Sequence, residues 1–589
     1  MKNNFRSMCL AAITSLACQS VVAYDFMVDN YCYEIISQTE HTVSLSHGDK
    51  FGTYHDFAIG HVTIPTSVEY LGETYTVTSI GHDAFCFCEN MTSIEIPSSV
   101  TSIDYLAFCS CTGLTSIEVP NSVTSIGGSA FCDCYSLESI SLPFVGEKAY
   151  TPSEEYQYPL GYMFGTLKES GYEETIQFLN FTVDRTASYY IPASLKSVTI
   201  TGSSYIPFGA FSNCTNLTTI KLSECVTTLG SCAFDGCTGL TSIEIPNSVT
   251  SIGNFAFSDC RCLKSIEIPN SVTNIGIGAF CGCIDLTSVT MQNSVTNIGI
   301  GAFQGCTGLT NVEIPNSVTY LGAEAFEGCT SLTSVGLPNS LTHLGKGAFQ
   351  NCTELTEVKI PSSVTHIGAC AFKECSRLWD VEVPNSVTSI GDSAFYGSFV
   401  NSVDISNRLT SFGVAAFNGG IGTLTINCDI EDPKKGTCGW FSVCYIGEVI
   451  IGETVNRVGK CAFYDAEIDH LTIGSNVQFI DSCAFENCAF GDSVCVNAIV
   501  PPVCHDSAFG GYAKDCCIYV PQGTVEAYKS ANVWKDFYNI EENPNVSALK
   551  SIAETDTPMV PLYDLLGRNV VATRPHGLYV RDGKRMFMK

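Results

Sequence analysis

Cysteine is the residue type with the most obvious capacity for chemistry in this chain, because the 589 residues include 32 cysteines. Thiolates act as nucleophiles and metal ligands, and pairs of thiols can form disulfides. Twelve cysteines share one position, three residues after a phenylalanine, and a set with that phase is most simply explained as a column of small buried side chains. The twelve are Cys88, Cys111, Cys134, Cys214, Cys237, Cys260, Cys283, Cys306, Cys329, Cys352, Cys375 and Cys488.

Disulfide bonding is the alternative for these cysteines in an oxidising compartment. Adjacent turns of a repeat would place their Cα atoms about 4.8 Å apart, which a disulfide permits, but parallel Cα–Cβ vectors fit the crossed geometry of a disulfide poorly. Cysteines outside the shared phase are better disulfide candidates. They are Cys438 with Cys444, and the group Cys495, Cys504, Cys516 and Cys517.

Metal binding and catalysis are not expected. Cysteine pairs such as Cys86/Cys88 and Cys281/Cys283 are separated by one residue, whereas zinc-binding cysteines are normally separated by two or more. The ten histidines form no metal-binding pair on a predicted helix, and the sequence contains no Gly-x-Ser-x-Gly motif. The sequence therefore predicts no enzyme activity, no metal and no cofactor.

Carboxylates recur at one position of predicted strands, where Lys221 and Lys359 also occur. One interpretation is an acidic face that binds cationic patches of a partner protein, or calcium. The other is a solvated face that keeps a long sheet soluble, since stacked like charges are mildly unfavourable. The candidate partner-binding carboxylates are Glu95, Glu118, Glu244, Glu267, Glu313 and Glu382.

The overall composition excludes several classes of protein. There are 29 Lys and Arg residues against 59 Asp and Glu, a formal net charge of -30, which argues against duplex nucleic acid and anionic lipid as partners. With 45% hydrophobic and 15% charged residues, the chain can bury a large apolar surface and is not a disordered acidic polymer. Beyond the N-terminus no apolar stretch is long enough for a membrane-spanning helix.

An internal repeat of 23 residues organises the sequence. Ala-Phe pairs recur at this interval in two runs, looser copies follow, and the segments around Phe164 and Phe441 fit the phase as degenerate copies. The runs contain Phe85, Phe108 and Phe131, then Phe211, Phe234, Phe257, Phe280, Phe303, Phe326, Phe349, Phe372 and Phe395, and the looser copies contain Phe417, Phe463, Phe485 and Phe509.

One repeat, from Leu240 to Cys260, reads LTSIEIPNSVTSIGNFAFSDC. A β-branched run ended by Pro246 predicts a short strand, a second inward-facing stretch follows, and Phe257 falls in a helical or 3₁₀ turn. A period of 23 lies within the 20–29 residues of leucine-rich repeats. The sequence therefore predicts a mainly-β repeat solenoid, a right-handed coil with a parallel sheet on one face.

The signature IPNSVTSIGxxAFxxC resembles that of the BspA-like family of leucine-rich repeat proteins, and the resemblance extends from about Tyr24 to Ile540. It implies a surface or secreted protein that binds host or partner-cell macromolecules and is not an enzyme. Terminal segments that resemble those of the family predict an N-terminal cap at 24–78, repeats at 79–500 and a C-terminal cap at 501–542, because exposed sheet ends need covering.

An insertion at about 144–195 interrupts the repeats and is rich in tyrosine. Insertions in solenoids form loops on one face, often the binding face, so its tyrosines are candidate partner-binding residues. A loop without a ligand, or aromatic rings packed back on the solenoid, are the alternatives. The candidate residues are Tyr150, Tyr156, Tyr158 and Tyr162.

The N-terminus has the pattern of a secretory signal peptide at 1–23. Lys2 and Arg6 precede a short apolar run, and cleavage between Ala23 and Tyr24 would follow small residues. Lipid attachment at Cys18 is an alternative, and a buried first helix is another. The protein is therefore predicted to be secreted or to lie on the outer cell surface.

The C-terminal residues 543–589 are predicted to form a linker and a small β module with Gly567 and Gly583 at turns. The module resembles the C-terminal sorting domains of proteins secreted by Bacteroidetes, which would imply passage across an outer membrane. A simple β cap on the solenoid is the alternative.

The predicted function is adhesion or protein binding by a secreted or surface scaffold. Its partners would be extracellular or host proteins, matrix proteins among them, and not nucleic acid. A structural envelope protein without a host ligand and a carbohydrate-binding surface protein are the alternatives, and the oligomeric state stays open.

Overall fold

The computed structural model describes residues 24–47, 58–154, 156–166, 172–178, 186–405, 408–409, 411–430, 439–543, 563–564, 577–581 and 584–588. The chain divides into two compact units, Met1–Leu240 and Thr241–Lys589. The predicted signal peptide, with Cys18 and Ala23, lies outside the described residues. Within the described part of the chain, each helix is too short or too polar to cross a bilayer.

The described residues of the first unit form short strands and a 3₁₀ turn, Leu160–Met163. The strands are β1 (Phe26–Val28), β2 (Tyr31–Ser37), β3 (Thr42–Ser46), β4 (Gly60–Thr63), β5 (Ser67–Tyr70), β6 (Glu73–Ile80), β7 (Met91–Glu95), β8 (Ser102–Ile103), β9 (Ser116–Glu118), β10 (Ser125–Ile126), β11 (Ser139–Leu142), β12 (Tyr172–Phe178), β13 (Thr186–Pro192), β14 (Ser197–Ile200), β15 (Tyr205–Ile206), β16 (Thr219–Leu222) and β17 (Thr228–Leu229).

The second unit contains a longer run of strands, an α-helix at Val525–Ser530 and 3₁₀ turns at Gly511–Lys514 and Trp534–Asp536. The strands are β18 (Ser251–Ile252), β19 (Ser265–Ile268), β20 (Asn274–Ile275), β21 (Ser288–Met291), β22 (Asn297–Ile298), β23 (Asn311–Glu313), β24 (Tyr320–Leu321), β25 (Ser334–Gly336), β26 (His343–Leu344), β27 (Glu357–Lys359), β28 (His366–Ile367), β29 (Asp380–Val383), β30 (Ser389–Ile390), β31 (Val400–Ile405), β32 (Ser411–Phe412), β33 (Ile421–Ile426), β34 (Tyr445–Ile451), β35 (Arg457–Val458), β36 (Glu467–Ile473), β37 (Phe479–Ile480), β38 (Ala489–Val496), β39 (Val503–Cys504), β40 (Cys517–Val520), β41 (Asn539–Glu542), β42 (Tyr563–Asp564), β43 (Gly577–Arg581) and β44 (Lys584–Met588).

Each repeat folds into one rung, meaning one turn of the coil with a long and a short strand. In β19 the sequence SIEI alternates exposed and buried residues, and Pro269, which has no N–H to donate, follows the strand. The short strand β20 supplies a second buried residue, Ile275. Both strands pair in parallel with the next rung, since Ile266 lies opposite Val289 and Ile275 lies opposite Ile298. This confirms the predicted mainly-β parallel solenoid.

The rungs stack into long sheets because their registers match. In the second unit, eleven strands form one sheet in the order β23-β25-β27-β29-β31-β33-β34-β36-β38-β40-β41. In the first unit, β16-β14-β11-β9 form the corresponding sheet. We call the solvent-facing side of these long strands the strand face.

A column of stacked phenylalanines fills the core of each unit. In the second unit, consecutive rings from Phe257 to Phe417 and from Phe441 to Phe509 have centroids 5.0–5.5 Å apart. The rings of Phe417 and Phe441 are 6.5 Å apart, where a degenerate repeat begins. Phe303 and its neighbours have no exposed surface, so each ring is buried by the rungs on either side of it.

The turn that carries each phenylalanine depends on left-handed backbone at fixed positions. Around Phe303 these are Gly301 and Gly305, with φ of 59° and 71°. Glycine adopts such angles without steric cost, which explains its recurrence in the repeat. The position two residues before the phenylalanine is held elsewhere by Cys461 and Cys483, with φ of 55° and 58°.

The predicted column of buried cysteines is confirmed. All twelve in-phase cysteines are at most 3% exposed, and most donate their S–H to the phenylalanine carbonyl one rung earlier, as Cys306 does to Phe280 over 3.2 Å. Ser398 replaces the cysteine in one rung, and its hydroxyl donates in the same way to the Phe372 carbonyl over 2.6 Å. The column therefore satisfies backbone acceptors as well as filling space.

The disulfides predicted for the out-of-phase cysteines are wrong for the C-terminal group. Cys504 replaces an inward isoleucine of β39, opposite Ile480, and so lies in a different sheet from β40. Cys444 is also a free thiol, and Cys438 lies outside the described residues. No disulfide forms within the group that includes Cys495, because its three other members carry free thiols: Cys504, Cys516 and Cys517.

A disulfide forms instead between consecutive rungs, at a position that the sequence analysis did not single out. It joins Cys109 to Cys132, each one residue after a stacked phenylalanine, with Cα atoms 4.7 Å apart. The expectation that parallel Cα–Cβ vectors disfavour such bonds concerned the in-phase cysteines, whereas Cys109 and Cys132 lie two residues earlier in the repeat.

Non-repeat segments flank the rungs at both ends. At the N-terminal end, β1, β2 and β3 are antiparallel, and β3 pairs in parallel with β6. At the C-terminal end, Trp534 packs on Phe509 with centroids 5.3 Å apart, and its indole N–H donates to the Pro502 carbonyl over 2.8 Å. Strands β42, β43 and β44 form a small antiparallel sheet, whereas Gly567 and Gly583 lie outside the described residues.

Candidate functional site

The strand face of the second unit carries an open groove of about 760 Å³ that crosses five neighbouring strands, β25, β27, β29, β31 and β33. Strand alternation creates its lining, because the inward residue Val358 is flanked by side chains that point to solvent. We call it the acidic groove. Its charged lining residues are Glu357, Lys359, Asp380, Glu382 and Asp404.

Negative charge dominates the acidic groove, since four carboxylates accompany one lysine. Glu357 lies directly opposite Asp380 on the neighbouring strand, and Lys359 lies opposite Glu382. Like charges in opposite positions destabilise a sheet, whereas the Lys–Glu pair is favourable. A cationic ligand would relieve the repulsion between Glu357 and Asp380, so the arrangement favours positively charged partners.

The six carboxylates predicted as partner-binding residues are all exposed, five of them on strands, whereas Glu244 lies in a segment without a strand, and they do not form one continuous row. Glu95 and Glu118 lie in the first unit and the other four in the second. Their cross-strand neighbours are seldom acidic, since Glu118 lies opposite Ser141, Glu267 opposite Thr290 and Glu313 opposite Gly336. Of the six, only Glu382 lines the acidic groove.

Three acidic residues of the groove escaped the sequence analysis: Glu357, Asp380 and Asp404. A strand presents alternate residues to solvent. Asp404 occupies the same repeat position as Glu382, but as an aspartate in one of the looser copies. Glu357 and Asp380 occupy the other outward position of β27 and β29. Counting charge at both outward positions would have identified this part of the sheet.

Most tyrosines of the insertion pack against the protein. Tyr150 is 5% exposed, and the rings of Tyr158 and Tyr162 stack with centroids 4.4 Å apart. Burial raises the pKa of the Tyr162 hydroxyl. Tyr156, with half of its surface exposed, is the one of the four candidates that is well placed to contact a partner. The insertion also forms an antiparallel hairpin from β12 and β13.

Two buried glutamines attach the insertion to the neighbouring rung. The Gln177 Oε1 atom accepts from the Gly161 N–H over 2.8 Å, and its Nε2 donates to the Ser212 carbonyl over 3.0 Å. Gln157 accepts from the Phe208 N–H over 2.8 Å. Both side chains are almost fully buried, so these bonds fix where the insertion lies within the first unit.

We predict that Gln177→Ala lowers the free energy of unfolding of the first unit by about 1–3 kcal/mol, because it leaves the Gly161 N–H and the Ser212 carbonyl buried without this partner. Urea denaturation of the full chain, followed by hydrogen exchange in the first unit, measures the change. Tyr156→Ala is the control, and equal effects of the two substitutions would contradict the tethering role.

Parallel strands at a 23-residue period, inward aliphatic residues and a buried phenylalanine column define a leucine-rich repeat solenoid. The sequence pattern of the family described as "BspA type Leucine rich repeat region (6 copies)" matches residues 54–151, 184–310, 296–422 and 437–510, well over half of the chain. The chain therefore belongs to the BspA-type leucine-rich repeat family, as its repeat signature indicated.

Several solved structures are similar to this chain. A leucine-rich repeat protein from Bacteroides ovatus ATCC 8483 is 27% identical, with 69% of this chain and 95% of that chain covered and a TM-score of 0.39. A leucine rich cell surface protein from Faecalibacterium prausnitzii A2-165 is 25% identical, with 65% and 93% covered and a TM-score of 0.28. The T. pallidum leucine-rich repeat protein is 19% identical, with 51% and 99% covered and a TM-score of 0.24. No curated protein matches the chain.

Proposed function

We propose that this protein acts outside the cell or on its surface, where it binds other proteins through the acidic groove. The observation that carries the proposal is the groove itself, an open cavity of about 760 Å³ on a parallel sheet with four carboxylates and one lysine in its lining. Its width of five strands is about 19 Å, enough for an extended segment or a loop of a partner protein.

The charge of the acidic groove favours a partner that presents lysine or arginine. Glu357, Asp380 and Glu382 are exposed, so they can contact a partner without being desolvated beforehand. Complementary charge of this kind increases association rate and specificity. Adhesion to host or matrix proteins is the form of protein binding that we propose, and Tyr156 is a second candidate contact in the first unit.

The proposed location rests on sequence and on cysteine chemistry. Lys2 and Arg6 followed by an apolar run and the Ala23–Tyr24 junction have the pattern of a secretory signal, with lipid attachment at Cys18 as the alternative route to the surface. The Cys109–Cys132 disulfide supports an oxidising compartment. We propose that residues 543–589 act as a sorting module, as their resemblance to Bacteroidetes sorting domains suggests.

The experiment that tests the proposal compares binding of the full mature chain and of Glu357→Lys/Glu382→Lys to a panel of purified extracellular-matrix proteins and glycans. We expect the double variant to lose at least tenfold in affinity for any matrix protein that the parent binds, with a steep salt dependence in the parent. Asp515→Lys/Glu526→Lys makes the same charge change at exposed positions away from the groove and serves as the matched control.

The other outcomes distinguish the alternatives. Glycan binding that survives charge reversal would support a carbohydrate-binding protein, and binding lost equally in the control would assign the effect to net charge. A parent that binds no member of the panel and resists protease treatment of intact cells would contradict adhesion and support an envelope structural protein.

A further inference from the structure

Two cysteines of the second unit lie in register on consecutive rungs. Val458 of β35 lies opposite Ile480 of β37, and Cys461 and Cys483 each follow three residues later. Two residues further on, the rings of Phe463 and Phe485 stack with centroids 5.1 Å apart and planes within 3°. The two cysteines are therefore bracketed on both sides by residues that pair directly across the rungs.

The backbone at the two cysteines is the same. Both residues have left-handed φ, 55° and 58°, and each N–H donates to the following rung, from Cys461 to Ser482 over 3.1 Å and from Cys483 to Ser507 over 3.2 Å. Neighbouring strands are about 4.8 Å apart, so we expect a similar separation of the two Cα atoms, near the lower end of the roughly 4.4–6.8 Å that a disulfide spans.

The first unit shows that the solenoid accommodates a disulfide between consecutive rungs. The Cα atoms of Cys109 and Cys132 are 4.7 Å apart, and these residues also lie in the turn that carries the stacked phenylalanines. Cys461 and Cys483 differ in that both are partly exposed thiols. A small oxidant in solution can therefore reach them.

We propose that Cys461 and Cys483 form a second rung-to-rung disulfide when the protein is in an oxidising compartment. The oxidant is a small-molecule disulfide such as oxidised glutathione. The Cys461 thiolate attacks it, which forms a mixed disulfide and releases one glutathione thiolate. Cys483 then loses its proton to solvent and attacks Cys461 Sγ, which closes the bond and releases the second glutathione. Two thiols are oxidised and one disulfide is reduced.

The surroundings of Cys483 suit it to the resolving role. Partial burial and the neighbouring carboxylate of Glu486 raise the pKa of the Cys483 thiol, which makes it less suited to the first attack on the oxidant. The hydroxyl of Ser507 lies 3.5 Å from Cys483 Sγ. The closed bond would link the two rungs that contain Phe463 and Phe485, near the C-terminal end of the phenylalanine column.

The test uses the full chain equilibrated in a glutathione buffer in which the Cys109–Cys132 bond has formed. The protein is unfolded without reduction, treated with N-ethylmaleimide and digested. We expect a cross-linked peptide that joins Cys461 to Cys483, about 2 Da lighter than the two separate peptides. Cys370 occupies the same position two residues before a phenylalanine but has Gly347 and Ser393 on the adjoining rungs, so it should carry the maleimide adduct.

Matched variants complete the test. Cys461→Ser should leave Cys483 fully alkylated, whereas Cys370→Ser should leave the Cys461–Cys483 cross-link intact. Maleimide adducts on both Cys461 and Cys483 in the parent, under conditions that oxidise Cys109 and Cys132, would overturn the proposal. Because the readout is covalent and needs no partner protein, it is independent of the proposed function.

Discussion

Phe303→Ala is expected to lower the free energy of unfolding of the second unit by about 3–5 kcal/mol, the cost of removing a buried aromatic ring from a core that cannot collapse around the gap. The ring lies between those of Phe280 and Phe326, with centroids 5.3 and 5.2 Å away. Both neighbours would lose a packing partner. Urea denaturation monitored by far-UV circular dichroism measures the change.

Phe479→Ala is the control for this prediction, because Phe479 belongs to a short strand and is half exposed. We expect it to change the free energy of unfolding by less than about 1 kcal/mol. A solenoid is stabilised by contacts between neighbouring rungs, so hydrogen exchange in Phe303→Ala should increase most near residues 280–326. A uniform increase along the unit, or a loss no larger than that in Phe479→Ala, would contradict the importance of the stacked column.

Alkaline pH is expected to unfold the second unit through its buried cysteines. Burial raises the pKa of Cys329, Cys375 and Cys488 to about 12, above the ordinary value of 9.0. Above about pH 9 the unfolded chain loses protons that the folded chain retains, so each thiol removes roughly 1.4 kcal/mol of stability per pH unit. The stability contribution is fully present below pH 9 and is lost as the pH rises towards 12.

Urea denaturation at intervals from pH 8 to pH 11 measures this loss. The matched variant is Cys329→Ser/Cys375→Ser, because Ser398 already fills the same position with an equivalent hydrogen bond to the Phe372 carbonyl. We expect the free energy of unfolding to depend less steeply on pH in the variant, because about two fewer protons are released on unfolding. Equal slopes in the parent and the double variant would show that these thiols do not titrate on unfolding.

Much of the fold could be predicted from the sequence because most rungs repeat the same short sequence pattern. A β-branched run ended by a proline, an Ala-Phe pair and a cysteine three residues later each have one structural role. Ile266, Phe257 and Cys260 all lie where that reasoning places them. Because the copies share this pattern, a correct structural interpretation of one repeat applies to most of the chain, and a wrong one would have been wrong in every rung.

The candidate site was predicted less well, because it depends on differences between repeats. The acidic groove arises from Glu357 and Asp380, which replace the more usual serine at one outward position, and from Asp404, which stands where several other repeats have glutamate. The burial of Tyr150 depends on how the insertion folds back, and the 23-residue repeat pattern does not determine the fold of an insertion. The Cys109–Cys132 disulfide depends on backbone direction within a turn, which sequence spacing alone cannot fix.

The in-register pairing of rungs has a consequence for how such a chain can change length. Because Ile275 lies opposite Ile298, one period later, deletion or duplication of 23 residues inside a run would join surfaces that already fit each other. Loss or gain of a single residue would instead turn inward side chains to solvent. Recombination between tandem copies can therefore produce shorter and longer forms in whole steps, each with the same two ends.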